Sequence, residues 1–337
     1  MINQSTTNPF NDMKLKSYLT ISLLFMAMLV KAQKPDTAQA IIHYKFTHVR
    51  DTLNRDKPLV ENMVLLVGRN SSVYKSYDRK LREEQVRKSI AEQINSGSRD
   101  IKVTSPGGAL GANVDYYQYP NEKKLFSVEK LMMNSYIVPE SMSALNWKVG
   151  KDTATIGGLS CQKATTHYKG RNYTAWFCDE LPYRAGPWKL SGLPGLIVEA
   201  SDDKKEVIFK FDGIEKVDYN AKPQARADQS SSARIMFSGM DDASKNSNVI
   251  ALPANGIKTN PKEFEEVQEI MRKDPQAFAQ SQRAVIQGQM GASGRAATFS
   301  AGGGGSAAIT SVSSIRIDSV PGAKVVTNNP IELPEKK

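Results

Sequence analysis

Two runs of strand-forming residues, 158–168 and 171–178, meet at Lys169-Gly170, and this junction constrains the fold more than any other stretch of the chain. A two-residue connection between such runs specifies an antiparallel hairpin and sets its register. With Lys169-Gly170 as the loop, residue 168 faces 171, and each outward step pairs the next two positions. That register brings the chain's two cysteines, Cys161 and Cys178, opposite one another. Counting from a hydrogen-bonded 168/171 pair, they fall on a non-hydrogen-bonded pair, where side chains approach most closely. This spacing suits a structural cross-strand disulfide. Two buried free thiols are the competing reading. A reactive nucleophile is the weakest one, because neither cysteine has a neighbouring base or helix N-terminus to activate it. The register also puts Ala164, Tyr173, Ala175 and Phe177 on one face and Lys163, Trp176 and the cysteines on the other. Large groups on both faces suit a strand well inside a sheet.

A second local device follows downstream in Gly192-Leu193-Pro194-Gly195-Leu196-Ile197. Pro194 presets the φ that begins a type II turn, and Gly195 can supply the positive φ such a turn demands. An apolar, β-branched run then starts a strand. With almost no reactive side chain, the segment reads as a structural turn that positions the sheet around Trp176 and Trp188. Those two aromatics are the candidates for lining a pocket.

From Ala40 to about Val217 the pattern is mainly that of strands. Ile42, Tyr44 and Phe46 alternate with polar residues, 63–67 is an apolar run, and 73–77 alternates again. Shorter strands are expected around 116–119, 124–128 and 135–138. Two stretches read as helices. In 79–95, Val86, Ile90 and Ile94 share a stripe; in 261–273, Phe264, Val267, Ile270 and Met271 share a face behind the Asn260-Pro261 start signal. Residues 220–248 and 285–313, the latter holding Gly302-Gly303-Gly304-Gly305, are too poor in apolar groups to offset ordering entropy. They read as a flexible insertion and a low-complexity segment, with Gly107-Gly108 and Gly111 marking a further loop. The expected organisation is therefore a leader at 1–32, a β-rich domain over 33–284, the segment 285–313 and a C-terminal segment 314–337.

The leader is read from Lys14 and Lys16, the apolar stretch Tyr18–Val30, and small residues around Val30-Lys31-Ala32 before Gln33. Cleavage near Ala32 would send the chain to the periplasm or outside the cell, with no stable membrane span in the mature chain. The net charge of +10 suits weak attraction to anionic surfaces. The basic residues at 79–88 are interleaved with Glu83 and Glu84, which is the pattern of a solvated helix face, and no nucleic-acid motif accompanies them.

No catalytic constellation with specificity is present. His43 and His48 have opposite parity on one strand, so they cannot share a metal there, and their spacing is not a zinc motif. His167 stands alone. The acidic pairs Asp179-Glu180 and Asp202-Asp203 suit turn capping better than acid–base work. Phosphate loops, dinucleotide fingerprints and nucleophile elbows are missing, so no cofactor, metal or catalytic residue is assigned.

The run Gly192 to Ile197 resembles the motif that gives the GLPGLI family of exported Gram-negative proteins its name. Around it, Cys161-Gln162-Lys163-Ala164, Gly170-Arg171, Tyr173-Thr174-Ala175-Trp176, Leu181-Pro182 and Gly186-Pro187-Trp188-Lys189 resemble the same family's hairpin and turn. Gly68-Arg69-Asn70-Ser71-Ser72 and Asn329-Pro330-Ile331-Glu332-Leu333 resemble its outlying elements. The resemblance implies export and a single β-rich domain, and it assigns no reaction. The expected fold is α+β: a mainly antiparallel, strongly curved sheet, a half-open barrel in one form, with one or two helices packed on one face. The expected function is a non-enzymatic binding or accessory module of the cell envelope, with a lipid, peptide or envelope protein as partner. The alternatives are a hydrolase assembled from dispersed groups such as His167, Asp179 and Glu180, and a structural envelope tether.

Overall fold

The computed structural model describes residues 35–96, 98, 100–105, 113–131, 134–217, 248–274, 277–278, 314–319 and 326–335. The leader, the 107–111 glycine loop, nearly all of 220–248 and the segment 285–313 lie outside the described residues. In chain order the elements are β1 (Asp36–Thr37), β2 (Ala40–His48), β3 (Leu59–Val67), β4 (Ser72–Ser76), α1 (Tyr77–Asn95), β5 (Asp100–Ser105), β6 (Val114–Tyr119), a 3-10 turn (Pro120–Glu122), β7 (Lys124–Leu131), β8 (Asn134–Ser141), β9 (Lys148–Ile156), β10 (Leu159–Tyr168), β11 (Arg171–Cys178), β12 (Leu196–Asp202), β13 (Val207–Lys216), β14 (Val249–Ile250), β15 (Ile257–Lys258), α2 (Pro261–Lys273) and β16 (Ser314–Ser319).

Twelve strands form one open sheet in the order β15-β8-β7-β6-β4-β3-β2-β13-β12-β11-β10-β9. Every pairing in it is antiparallel except β15 with β8. Two meanders, β2 to β8 and β9 to β13, join where β13 returns to β2. Three register shifts, at 162/164, 176/177 and 211/213, interrupt the second meander. Bulges of this kind bend and twist a strand, which lets so wide a sheet curve.

Register tracing separates the two faces. Ala164, Ala175, Ala200, Phe209, Phe46, Tyr44, Met63, Leu65, Tyr74 and Tyr116 follow one another on an inner face, which then continues through Ser127 and Val138. The largest core cluster lies on it. Val64, Leu66, Val73, Tyr117, Val128 and Ile137 form a second cluster on the outer face. β3 is consequently buried on both sides, as its continuous apolar run requires.

The two helices stand on opposite faces, which corrects the expectation of a single helical face. α1 lies outside, where Asp78 accepts hydrogen bonds from the backbone and side chain of Asn62 and Ile90 is buried. The Ile94 side chain lies outside the described atoms. α2 lies inside, its Phe264 packed on Tyr136, Leu131 and Val138, with Val267 and Met271 beside it. Asn260 caps it by accepting the Glu263 amide at 3.0 Å. Ile270, placed on the packed face by its spacing, is 57% exposed instead. Only a narrow stripe of the helix, centred on Phe264, meets the sheet.

The β10–β11 hairpin turns at Lys169 and Gly170, both at positive φ, and pairs 168 with 171 outward to 162 with 177. The next pair is Cys161 and Cys178, bonded at 2.13 Å with Cα atoms 4.3 Å apart. Loop closure across 17 residues is expected to contribute about 3 kcal/mol. Replacing both cysteines by alanine should lower urea-denaturation stability by that order. Denatured, unreduced protein should contain no free thiol, and two thiols per chain would contradict the bond.

Candidate functional site

The inner face of the sheet is covered by the chain's own connection between β11 and β12. Trp188, Leu190 and Leu193 are almost completely buried there. The Trp188 ring stacks parallel to Phe209 at 6.4 Å and leans on Tyr168 and Tyr173. Each such apolar side chain contributes about 1.5–3 kcal/mol by leaving water. The segment is also stitched down by polar contacts. Gln118 Nε2 donates to the Trp188 carbonyl at 2.8 Å, Trp147 Nε1 to that of Ser191 at 2.9 Å, and the Tyr44 hydroxyl to that of Ile197 at 2.6 Å.

The backbone that permits this differs from the expected type II turn. Gly195 is not at positive φ; Gly192 is, at 96°, and so is Trp188, at 56°. Gly195 is needed for space. A Cβ there would lie 2.1 Å from the Cys178 carbonyl oxygen, an impossible approach. Leaving Trp188 in the left-handed region costs on the order of 1–2 kcal/mol. The burial of its indole offsets that cost and directs the side chain into the core.

Immediately after Trp188, the same turn inserts a charge. The Lys189 side chain is 5% exposed and donates to Glu140 of β8 and to Glu332 of the C-terminal segment, the latter at 2.6 Å. Its ammonium also stands 5.3 Å from the Tyr116 ring centre, a cation–π contact. Burial raises Glu332, but Lys189 and Lys169 outweigh it and hold the carboxylate below its usual range. Glu129 of β7 lies nearby on the same face and accepts from Gln268 of α2 at 3.0 Å. Burial, reinforced by Glu140, pushes its carboxyl up to about 7. The cluster can thus hold a proton near neutral pH at Glu129 while Lys189 stays paired.

A second polar cluster fastens the C-terminal segment. Arg171 is buried at the start of β11 and donates to Asp202 at 2.7 Å and Glu206 at 3.1 Å. Its other donors reach the Asn329 side chain and the carbonyls of Pro330 and Ile331. Asn329 in turn donates to Val49 O and Glu206, and its carbonyl meets His48 Nε2 at 2.9 Å. Burial lowers His48 to about 4, so the imidazole is neutral at physiological pH. Asp202 also caps the β12–β13 turn by accepting the amides of Glu206 and Val207.

The other sequence candidates are dispersed. His43 lies on the outer face of β2, opposite in parity to His48, and bonds Glu215 of β13. His167 is exposed near the hairpin turn and contacts Asn172 and Glu335, both at 2.7 Å. Asp179 and Glu180 are exposed just past the other end of β11. The hairpin length separates them from His167, so no joint acid–base site forms. Trp176 is half-buried on the outer side of β11, facing Lys163 and Glu199 across the ladder, whereas Trp188 fills the inner face. Among the described residues, no group of three His, Cys, Asp or Glu side chains could hold a metal ion.

The comparisons with known proteins meet this same region. A family described as a protein of unknown function, Porph_ging, matches residues 167–199, the stretch running from the hairpin turn through the inner-face segment into β12. The match agrees with the GLPGLI-type resemblance of those residues and covers far less than half of the chain. No curated protein matches. Two solved structures of PNGF-II, in C2 and P21 space groups, match with TM-scores of 0.43 and 0.44 at 10% and 11% identity. The matches cover 68% of this chain in both cases, and 32% and 33% of those chains. The chain therefore spans about a third of the length of the solved structures it matches.

Two measurements test the clusters. Arg171→Ala leaves the buried Asp202 without its cation and Glu206 with Arg55 alone, and should cost about 3–5 kcal/mol in denaturant titrations while exposing 326–335 to proteolysis. A loss below about 1 kcal/mol would contradict the network's role. Glu129→Gln probes the proton. Because the folded carboxyl titrates near 7 and an unfolded one near 4.5, the folded state binds the extra proton between those values. Stability carried by this group is then lost as pH rises from about 4.5 to 7, by up to about 3 kcal/mol. The variant should match the parent at low pH and exceed it at pH 8.

Proposed function

We propose that the chain is an exported, non-enzymatic binding or accessory module of the cell envelope, of the GLPGLI type, cut from its leader near Ala32. The observation that carries this reading is the inner face. A curved sheet offers a concavity suited to a ligand, yet here Trp188, Leu190 and Leu193 of the chain's own connection occupy it. The ionisable groups beside it are engaged with one another: Lys189 with Glu140 and Glu332, and Arg171 with Asp202 and Glu206. Side chains committed in this way hold a scaffold together, which leaves recognition to the outer surface and the edges. The cross-hairpin disulfide suits an oxidising compartment, and no described helix is long and apolar enough to cross a membrane.

The dispersed hydrolase draws no support from His167, Asp179 and Glu180, which lie apart. The test of the module reading is isolation of the full chain from the envelope fraction after in-cell crosslinking. A defined lipid, peptide or envelope protein should be recovered with it in stoichiometric amount. Recovery of the bare protein, with turnover of an acyl, glycosyl or peptide substrate that Glu129→Gln abolishes, would overturn the reading.

A further inference from the structure

We propose that the end of the sheet where the β10–β11 turn meets the β2–β3 loop is a recognition site for a peptide carrying Asn-Pro-Ile-Glu-Leu, and that its partner is residues 326–335 of a second copy of this chain. In the structure the site is filled from within the same chain. Among the described residues, 326–335 belong to no helix or strand, and they dock as an irregular run on the body of the domain. The carbonyl of Arg50 accepts the backbone amides of Asn328 and Asn329, both at 3.0 Å. The Asn329 side chain is buried and met at both of its ends. Arg171 donates to its oxygen at 2.7 Å, and its nitrogen donates to Val49 O at 2.7 Å and to Glu206 at 3.0 Å. Arg171 also holds the carbonyls of Pro330 and Ile331, at 2.8 and 3.0 Å. Further along, Glu332 lies between Lys189 and Lys169, Leu333 donates its amide to Lys169 O, and Glu335 accepts the Gly170 amide.

Contacts of this kind read a sequence. A buried amide satisfied at both ends rejects side chains with another arrangement of donors and acceptors, because a replacement leaves the groups facing it without that partner. Pro330 and Pro334 bring no amide donor and fix their own φ, so less chain entropy is lost when the segment docks. The receiving surface keeps its own ties when the segment leaves. Arg171 retains Asp202 and Glu206, Glu206 retains Arg55, and Asp51 braces the β2–β3 loop by accepting the Leu53 amide and the Asn54 side chain. Between Phe278 and Val326 the one described element is β16, which pairs with β5 in a ribbon separate from the twelve-stranded sheet. Residues 326–335 thus meet their site as an intramolecular ligand, and the same segment of a second copy offers the same contacts. The site is defined by these contacts and does not depend on where in the cell the chain works.

Two populations of the full chain bearing different tags are mixed at high concentration, incubated, and captured through one tag. The second tag should be retained, and an excess of synthetic peptide 326–337 should release it. The same peptide, fluorescently labelled, reports on the site by anisotropy. Asn329→Ala in the full chain loosens the resident segment, so that chain should bind the peptide at least tenfold more tightly than the parent does. Should it not fold, Glu335→Ala at an exposed position takes its place, with a gain of a few-fold. Asn329→Ala in the peptide should weaken binding at least tenfold and Glu332→Gln a few-fold, and neither change touches the folded chain. A peptide that binds none of these chains, or an Asn329→Ala peptide that binds like the parent sequence, would overturn the recognition site. Tags that never co-purify while the peptide binds would overturn the second copy as its occupant.

Discussion

The buried guanidinium of Arg171 is the interaction on which the rest of the structure depends. It sits at the first position of β11, 2% exposed, where a cation has no access to compensating water. All of its surroundings are therefore conscripted to satisfy it: two carboxylates from the β12–β13 turn, and a side-chain oxygen and two carbonyls from the C-terminal segment. The planar fork of donors suits this task in a way a lysine would not. One residue thereby joins the cysteine-bonded hairpin, the neighbouring turn and a segment more than a hundred residues away. Through Asn329, the end of β2 is included as well.

The segment between β11 and β12 answers a different physical demand. A wide curved sheet leaves its inner face too broad for its own side chains to close, and something apolar must cover it. Trp188 does so at the expense of a left-handed backbone, while Gly195 lets the incoming strand pass against the Cys178 carbonyl. Because the covering segment also delivers Lys189 into the interior, Glu140 and Glu332 have to follow it there. The buried charges on this face are consequences of how the face is closed.

The hairpin was legible in the sequence because its information is local: a two-residue turn and two alternating runs determine which residues face each other. α1 and α2 were legible for the same reason, through spacing and the Asn260 cap. Gly195 was read for its freedom in φ when its role is lack of a side chain, a distinction that depends on a backbone carbonyl many residues earlier. The Ile270 stripe failed because spacing gives a helix a face without saying how wide the contact will be. Lys189, Glu140 and Glu332 could not be assembled beforehand, since β8, the β11–β12 connection and the C-terminal segment meet only through the sheet order. Lys189 and Glu332 did fall within stretches that resemble the family, which was a signal about position and carried no hint of their mutual contact. β9 was also missed, its polar edge-strand pattern having no buried partner face to impose an alternation.

The sheet order also has a consequence in time. β2 pairs with β3 on one side and with β13 on the other, from Ala40 with Lys216 to His48 with Val207. For a chain that emerges from the ribosome N-terminus first, one edge of β2 stands open while all of the intervening strands are still being made. The pairings on either side, β3 with β4 and β10 with β11, close over short loops and can form at once, whereas the β2–β13 seam must search across most of the domain. The centre of the finished sheet thus closes only after the strands of both flanking meanders have been made, and a nascent β2 edge lies exposed to whatever other strand it meets first.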